Sequence, residues 1–69
     1  METLKVRCQE LFPKSRKLKD VRPSEGQLNN VVARLQQIFT NEELTMMDDK
    51  SLVRQIERVW PVARYVDRD

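Results

Sequence analysis

Two stripes of apolar residues at helical spacing constrain this chain most. The first is Leu28, Val31, Val32, Leu35, Ile38 and Phe39; the second is Leu52, Val53, Ile56, Val59, Trp60 and Ala63. On a wheel of about 100° per residue, the first stripe spans only about 120°. A face that narrow and that apolar must be buried against another element, so the two helices are expected to pack on each other. The other menus close by exclusion. Gly26 is the only glycine, and no Asn-Gly or Asp-Gly pair marks a hairpin. No period-two alternation runs long enough for a strand. The expected fold class is all-α, a compact three- or four-helix domain.

The helix boundaries follow from caps and prolines. A first helix over about 2–12 carries Leu4, Cys8, Leu11 and Phe12 on one face, with Val6 off that face and Pro13 as the stop. Pro23 precedes the second helix, over about 24–39, where Ser24 and Gln27 have capping-box spacing. Thr40 and Glu43 repeat that pattern ahead of a short helix over about 41–47, presenting Leu44 and Met47. Asp48 or Asp49 caps the last helix, over about 49–60, and Pro61 is expected to end it at Trp60. Ala63, Tyr65 and Val66 would continue the hydrophobic contact in a tail. The connector between the two main helices is short, which makes them neighbours.

Sixty-nine residues allow one small domain, near the lower limit for independent folding. One cysteine rules out an internal disulfide, and the absence of histidine excludes the common Cys/His zinc sites. Stability is therefore expected from helix packing, from oligomerisation, or from a partner or neighbouring domain. An unpaired cysteine fits a reducing compartment, nuclear or cytoplasmic. No apolar run approaches the roughly 20 residues of a membrane span. The amino end carries Glu2, Lys5 and Arg7 and lacks an apolar h-region, so it does not read as a signal peptide.

Catalysis finds little support. No histidine is present to act as base beside a nucleophile, and one glycine cannot build a phosphate-cradling loop. A chain this small has little room to enclose a substrate pocket. Asp48 and Asp49 are adjacent carboxylates that could hold a metal or share a proton, but capping and the helix dipole explain them more simply. Cys8 reads as a buried structural thiol. No catalytic residue, metal ligand, cofactor or small-molecule substrate is expected.

The charges are more informative. Segment 13–22 holds Lys14, Arg16, Lys17, Lys19 and Arg22, which either follow a phosphate backbone or keep a connecting loop solvated. Leu18 and Val21 would pin that segment to the core. Lys50, Arg54 and Arg58 stand at i, i+4 and i+8, opposite the second stripe. Like charges so spaced repel by a few tenths of a kcal/mol, roughly, which an anionic partner would offset. Glu57 relieves part of this from three residues beyond Arg54. The acidic start at Asp48 and Asp49 counts against anion binding at that helix end. The formal net charge is only +2, so the placement of the cations decides, not their sum. Segments 41–47 and 49–60 match a helix-turn-helix poorly, because the turn is acidic and lacks glycine.

Two further faces stand out. Trp60 and Tyr65 lie among Arg58, Arg64 and Arg68, either as a stacking platform for bases or, for Trp60, as a core anchor. Asn29, Asn30, Ala33 and Gln37 make the outer face of the second helix nearly free of charge. That composition suits a protein contact or self-association, and it also suits ordinary surface.

Residues 28–69 resemble the C-terminal DNA-binding domain of the chromatin protein DEK and its relatives. The likeness lies in Val31, Leu35, Ile38 and Phe39, then Leu44, then Lys50, Leu52, Val53, Arg54 and Ile56, with Trp60-Pro61 and Arg68 beyond. It implies a small winged-helix-like helical fold that binds DNA and supports protein contacts. Asp48 departs from that family's pattern, which has threonine there, and a further helix would be expected after the last residue. Residues 1–22 lie outside the likeness.

The sequence is thus read as a single non-catalytic binding module. Its expected partner is nucleic acid, held by Lys14, Arg16, Lys17, Lys19, Arg22, Lys50, Arg54 and Arg58. The alternative is a protein-interaction or oligomerisation module of a larger regulatory assembly, using Asn29, Asn30, Ala33 and Gln37.

Overall fold

A computed structural model describes residues 3–65. It contains four α-helices and no strand among the described residues: α1 (Leu4–Leu11), α2 (Glu25–Ile38), α3 (Asn41–Met46) and α4 (Asp49–Ala63). A short 3-10 turn, Phe12–Lys14, extends α1. The all-α reading holds.

Each helix starts where a side chain can accept one of its unpaired N–H groups. Thr3 accepts from the Val6 amide, and Asp48 accepts from the Ser51 amide. Ser24 with Gln27 and Thr40 with Glu43 form reciprocal capping boxes. The last three starts were legible in the sequence. Thr3 was not, because Val6 stands where a box needs Glu or Gln.

The core draws on every helix. Cys8, Leu11, Phe12, Leu18, Leu28, Val31, Leu35, Leu44, Leu52, Ile56, Val59 and Ala63 are buried together. The helix α2 packs most extensively on α4. They run antiparallel, since Gln27 and Asn30 near the start of α2 bond to backbone at residues 63–65. The helix α1 lies across both. Lys5 Nζ pairs with Glu25 Oε1 at 3.0 Å, and Arg7 reaches the corner between α3 and α4.

Three expectations need correction. The first helix stops at Leu11, and the chain passes through Pro13 in the 3-10 turn. Proline tolerates that position, because the first N–H groups of a helical turn have no partner to lose. Ile38 belongs to the first stripe by spacing but is 58% exposed. It lies at the edge of the stripe, and the extended backbone at Phe39 turns the chain away, leaving Phe39 to pack on the core.

The largest difference is at Pro61. The helix α4 does not end at Trp60 but continues to Ala63. Proline removes the N–H that would reach the Glu57 carbonyl and crowds that carbonyl. Tertiary contacts on either side outweigh this local penalty. Trp60 meets the Phe12 ring edge-on, with centroids 5.2 Å apart and planes at 82°. Ala63 is fully buried. The carbonyl of Ala63 and the two just beyond α4 are then bonded from α2: Asn30 Nδ2 donates to Ala63 O at 3.0 Å and Tyr65 O at 3.1 Å, and Gln27 Nε2 donates to Arg64 O at 3.0 Å. Tyr65 itself is 67% exposed rather than part of a hydrophobic tail. Val66 lies outside the described residues.

Candidate nucleic-acid interface

The basic ridge stands on the solvent side of α4. Leu52, Ile56, Val59 and Ala63 occupy the buried side. At about 100° per residue, Lys50, Arg54 and Arg58 fall on the opposite side, and at 1.5 Å per residue their backbones span about 12 Å. All three are exposed, and none forms an ion pair among the described residues.

The segment following α1 lies against one flank of α4. Three contacts fix it there: Phe12 on Trp60, Lys14 Nζ at 4.0 Å from Asp49 Oδ2, and the Ser15 hydroxyl donating to Glu57 Oε2. The Ser15 hydroxyl also accepts from the Leu18 amide at 3.2 Å. Ser15 is itself buried, and Leu18 is buried in the core. Val21 packs against that core. The segment is therefore a pinned turn rather than a free linker. Between its anchors, Arg16, Lys17 and Lys19 are exposed, as is Arg22 beyond them. None of these four makes an ion pair among the described residues.

Glu57 ties the segment to α4. On the helical wheel it sits between the flank that receives the segment and the ridge, about 60° from Arg54. The sequence assigned Glu57 to relieving repulsion within the ridge. The structure gives its carboxylate to Ser15 instead.

The acidic start of α4 is occupied. Asp48 caps the helix through the Ser51 amide at 2.9 Å, and the Ser51 side chain first, with that amide second, holds its carboxyl below the usual aspartate range. Asp49 Oδ1 receives Arg7 Nη2 at 3.2 Å, and Lys14 approaches its other oxygen. Arg7 also donates to the carbonyls of Leu44, at 3.1 Å, and Met47. Its guanidinium thus bridges the end of α3, the turn and the start of α4, which suits its planar fork of donors. Nothing in the sequence marked Arg7 for this, because its partners lie about 40 residues away. Lys14 differs from the other expected contact residues in sharing Asp49.

The aromatic residues divide. The Trp60 ring is partly buried against Phe12, the core-anchor arrangement. Tyr65 is exposed, with the Arg64 guanidinium 4.9 Å from its ring centre. Arg68 lies outside the described residues.

The outer face of α2 is split as well. Asn29, Ala33 and Gln37 are exposed. Asn30 is turned to the end of α4, and its amide is spent on the Ala63 and Tyr65 carbonyls. Cys8 is fully buried, and burial pushes its thiol up to about 11 despite the opposing charge of Arg7. No helix among the described residues is long and apolar enough to cross a membrane.

An open cleft of about 410 Å³ lies where α1, α2 and α3 meet, lined by Thr3, Leu4, Arg7, Gln36, Asn41, Leu44 and Thr45. Arg7 is its only charged side chain, and that guanidinium is already bonded to backbone and Asp49.

Compared with known proteins, the chain matches no family model, no curated protein and no solved structure.

Proposed function

We propose that this chain is a non-catalytic binding module for nucleic acid, docking it on the ridge of α4 and the pinned segment beside it. One observation carries the reading: Arg16, Lys17, Lys19, Arg22, Lys50, Arg54 and Arg58 are exposed and lack carboxylate partners among the described residues. Exposed cations that outnumber the carboxylates beside them, here Asp20 and Glu57, repel one another, and a polyanion relieves that repulsion while releasing its own counterions. The engagement of Asp49 by Arg7 and Lys14 supports the reading further, since it offsets part of the negative charge beside Lys50. The resemblance of residues 28–69 to the DEK domain points the same way. A nuclear or cytoplasmic location and a regulatory role go with such a partner.

The test is a binding titration of labelled duplex DNA with the wild-type chain and with a double charge reversal, Arg54→Glu with Arg58→Glu. Both positions are exposed, so the fold should be retained. Affinity should fall by about 100-fold or more, since two phosphate contacts become repulsions. Unchanged affinity would remove the ridge from the interface.

A protein contact through α2 is the second reading, and the exposure of Asn29, Ala33 and Gln37 favours it. It predicts a dimer or a recovered protein partner. A strictly monomeric species in sedimentation, with no partner in pull-down, counts against it.

A further inference from the structure

We infer that the ligand is the sugar-phosphate backbone of duplex nucleic acid, gripped without regard to base sequence by two sets of cations that the Ser15–Glu57 hydrogen bond holds in alignment. This rests on the nucleic-acid reading above and specifies how that site works.

The ends of α4 argue for contact along its side. A helix that reads bases usually presents its first turn to the groove. Here that turn is closed by Asp48, whose carboxylate caps Ser51, and by Asp49, held by Arg7 and Lys14. Two carboxylates at this end disfavour approach to phosphates end-on. At the other end, Asn30 and Gln27 cover the last carbonyls. What remains open is the flank with Lys50, Arg54 and Arg58. Contacts of Lys and Arg to phosphate position a protein but carry no sequence information.

Base stacking is poorly served on this face. Single strands are commonly held by several aromatic platforms in a charged groove. The Trp60 ring is turned into the fold against Phe12, and Tyr65 is the one exposed aromatic among the described residues. A duplex, with its higher charge density, matches a surface of cations without platforms.

Ser15 acts as a positioning residue. Its hydroxyl donates a hydrogen bond to Glu57 and accepts one from the Leu18 amide, so it fixes the turn that carries Arg16 and Lys17 against the flank of α4. Glu57 is thereby explained as a carboxylate placed inside a basic face. Its negative charge opposes the ligand, while its oxygen docks the second row of cations.

The test measures binding of the full chain to about 20-base-pair duplexes by fluorescence polarisation over a salt series. One duplex is A·T-rich, one G·C-rich and one mixed, with a single strand of mixed sequence beside them. The three duplexes should bind within about threefold of one another, and the single strand several-fold more weakly. Ser15→Ala should weaken duplex binding by about three- to tenfold and flatten the salt dependence by about one to two ion equivalents, because the loop cations lose register. Glu57→Gln keeps an oxygen for Ser15 and removes a charge, so it should tighten binding by about two- to fivefold. A merely structural role for the pair would leave the salt dependence unchanged in Ser15→Ala. Preference above about tenfold for one duplex, or a single strand bound as tightly, overturns the backbone inference while leaving nucleic-acid binding intact. No binding to any of the four overturns both.

Discussion

The side chain of Asn30, early in α2, closes the end of α4 by donating to the carbonyl of Ala63 at 3.0 Å and to that of Tyr65 at 3.1 Å. Gln27, one turn earlier, does the same for Arg64. Helix ends commonly satisfy their carbonyls with a following glycine in left-handed geometry. This chain has no glycine after Gly26, so α2 supplies the donors. Asn30→Ala removes two hydrogen bonds, one of them partly buried, and should destabilise the fold by about 1–2 kcal/mol. Urea unfolding measures the loss, and amide exchange should locate it in the last turn of α4.

Pro61 should be dispensable for the fold. It forfeits one backbone hydrogen bond in α4, at the Glu57 carbonyl, and is itself exposed. Pro61→Ala should therefore stabilise the chain by about 1–2 kcal/mol, less than the full interior-proline penalty of about 3 because the site is near the helix end and alanine loosens the unfolded chain. Thermal unfolding decides it. A fall in stability would mean that Pro61 helps to bring Ala63 into the core.

Those two residues show where the sequence stopped being informative. Ser24 and Thr40 were readable because a cap and its target lie three residues apart, and the start of α4 was narrowed to Asp48 or Asp49. The apolar stripes were readable because burial repeats every turn. Helix continuation through Pro61 depends on Phe12, Gln27 and Asn30, which are distant in sequence, so the local rule for proline gave the wrong end. Asn30 was read as outer surface for the same reason. The exposed cations of the candidate interface were visible from composition. That Ser15 hydrogen-bonds to Glu57 was not, because serine and glutamate at separation 42 carry no local signature.

Arg7 should be among the most costly surface-adjacent residues to replace. Its guanidinium joins Leu44 O, Met47 O and Asp49. Arg7→Leu leaves two carbonyls short of donors and should cost about 2–3 kcal/mol. Arg7→Lys should recover only part, because a single ammonium cannot span the three acceptors. Denaturant midpoints of the pair of variants test this, and equal stability of both with wild type would contradict it.

Cys8 gives the fold an alkaline limit. Its thiol is held protonated up to about 11 in the fold, against an ordinary value of 9.0. Between those values the unfolded chain releases a proton that the folded chain keeps. Stability is therefore unaffected below the ordinary value and falls as pH rises through the interval, by at most about 1.4 kcal/mol per pH unit. Cys8→Ala should lower stability at neutral pH through the lost packing but flatten this alkaline decline. A decline of the same slope in Cys8→Ala would assign it to other groups.

The central claim is that exposed cations on α4 and on the segment beside it bind the phosphates of a duplex. The dependence of affinity on salt tests it most directly. With Arg16, Lys17, Lys19, Lys50, Arg54 and Arg58 engaged, log K should fall linearly with log salt at a slope of about −5. Neutralising the ridge, with Lys50, Arg54 and Arg58 all changed to Gln, should make that slope shallower by about 2 to 3. A slope near zero, or one that the triple variant leaves unchanged, would contradict the account.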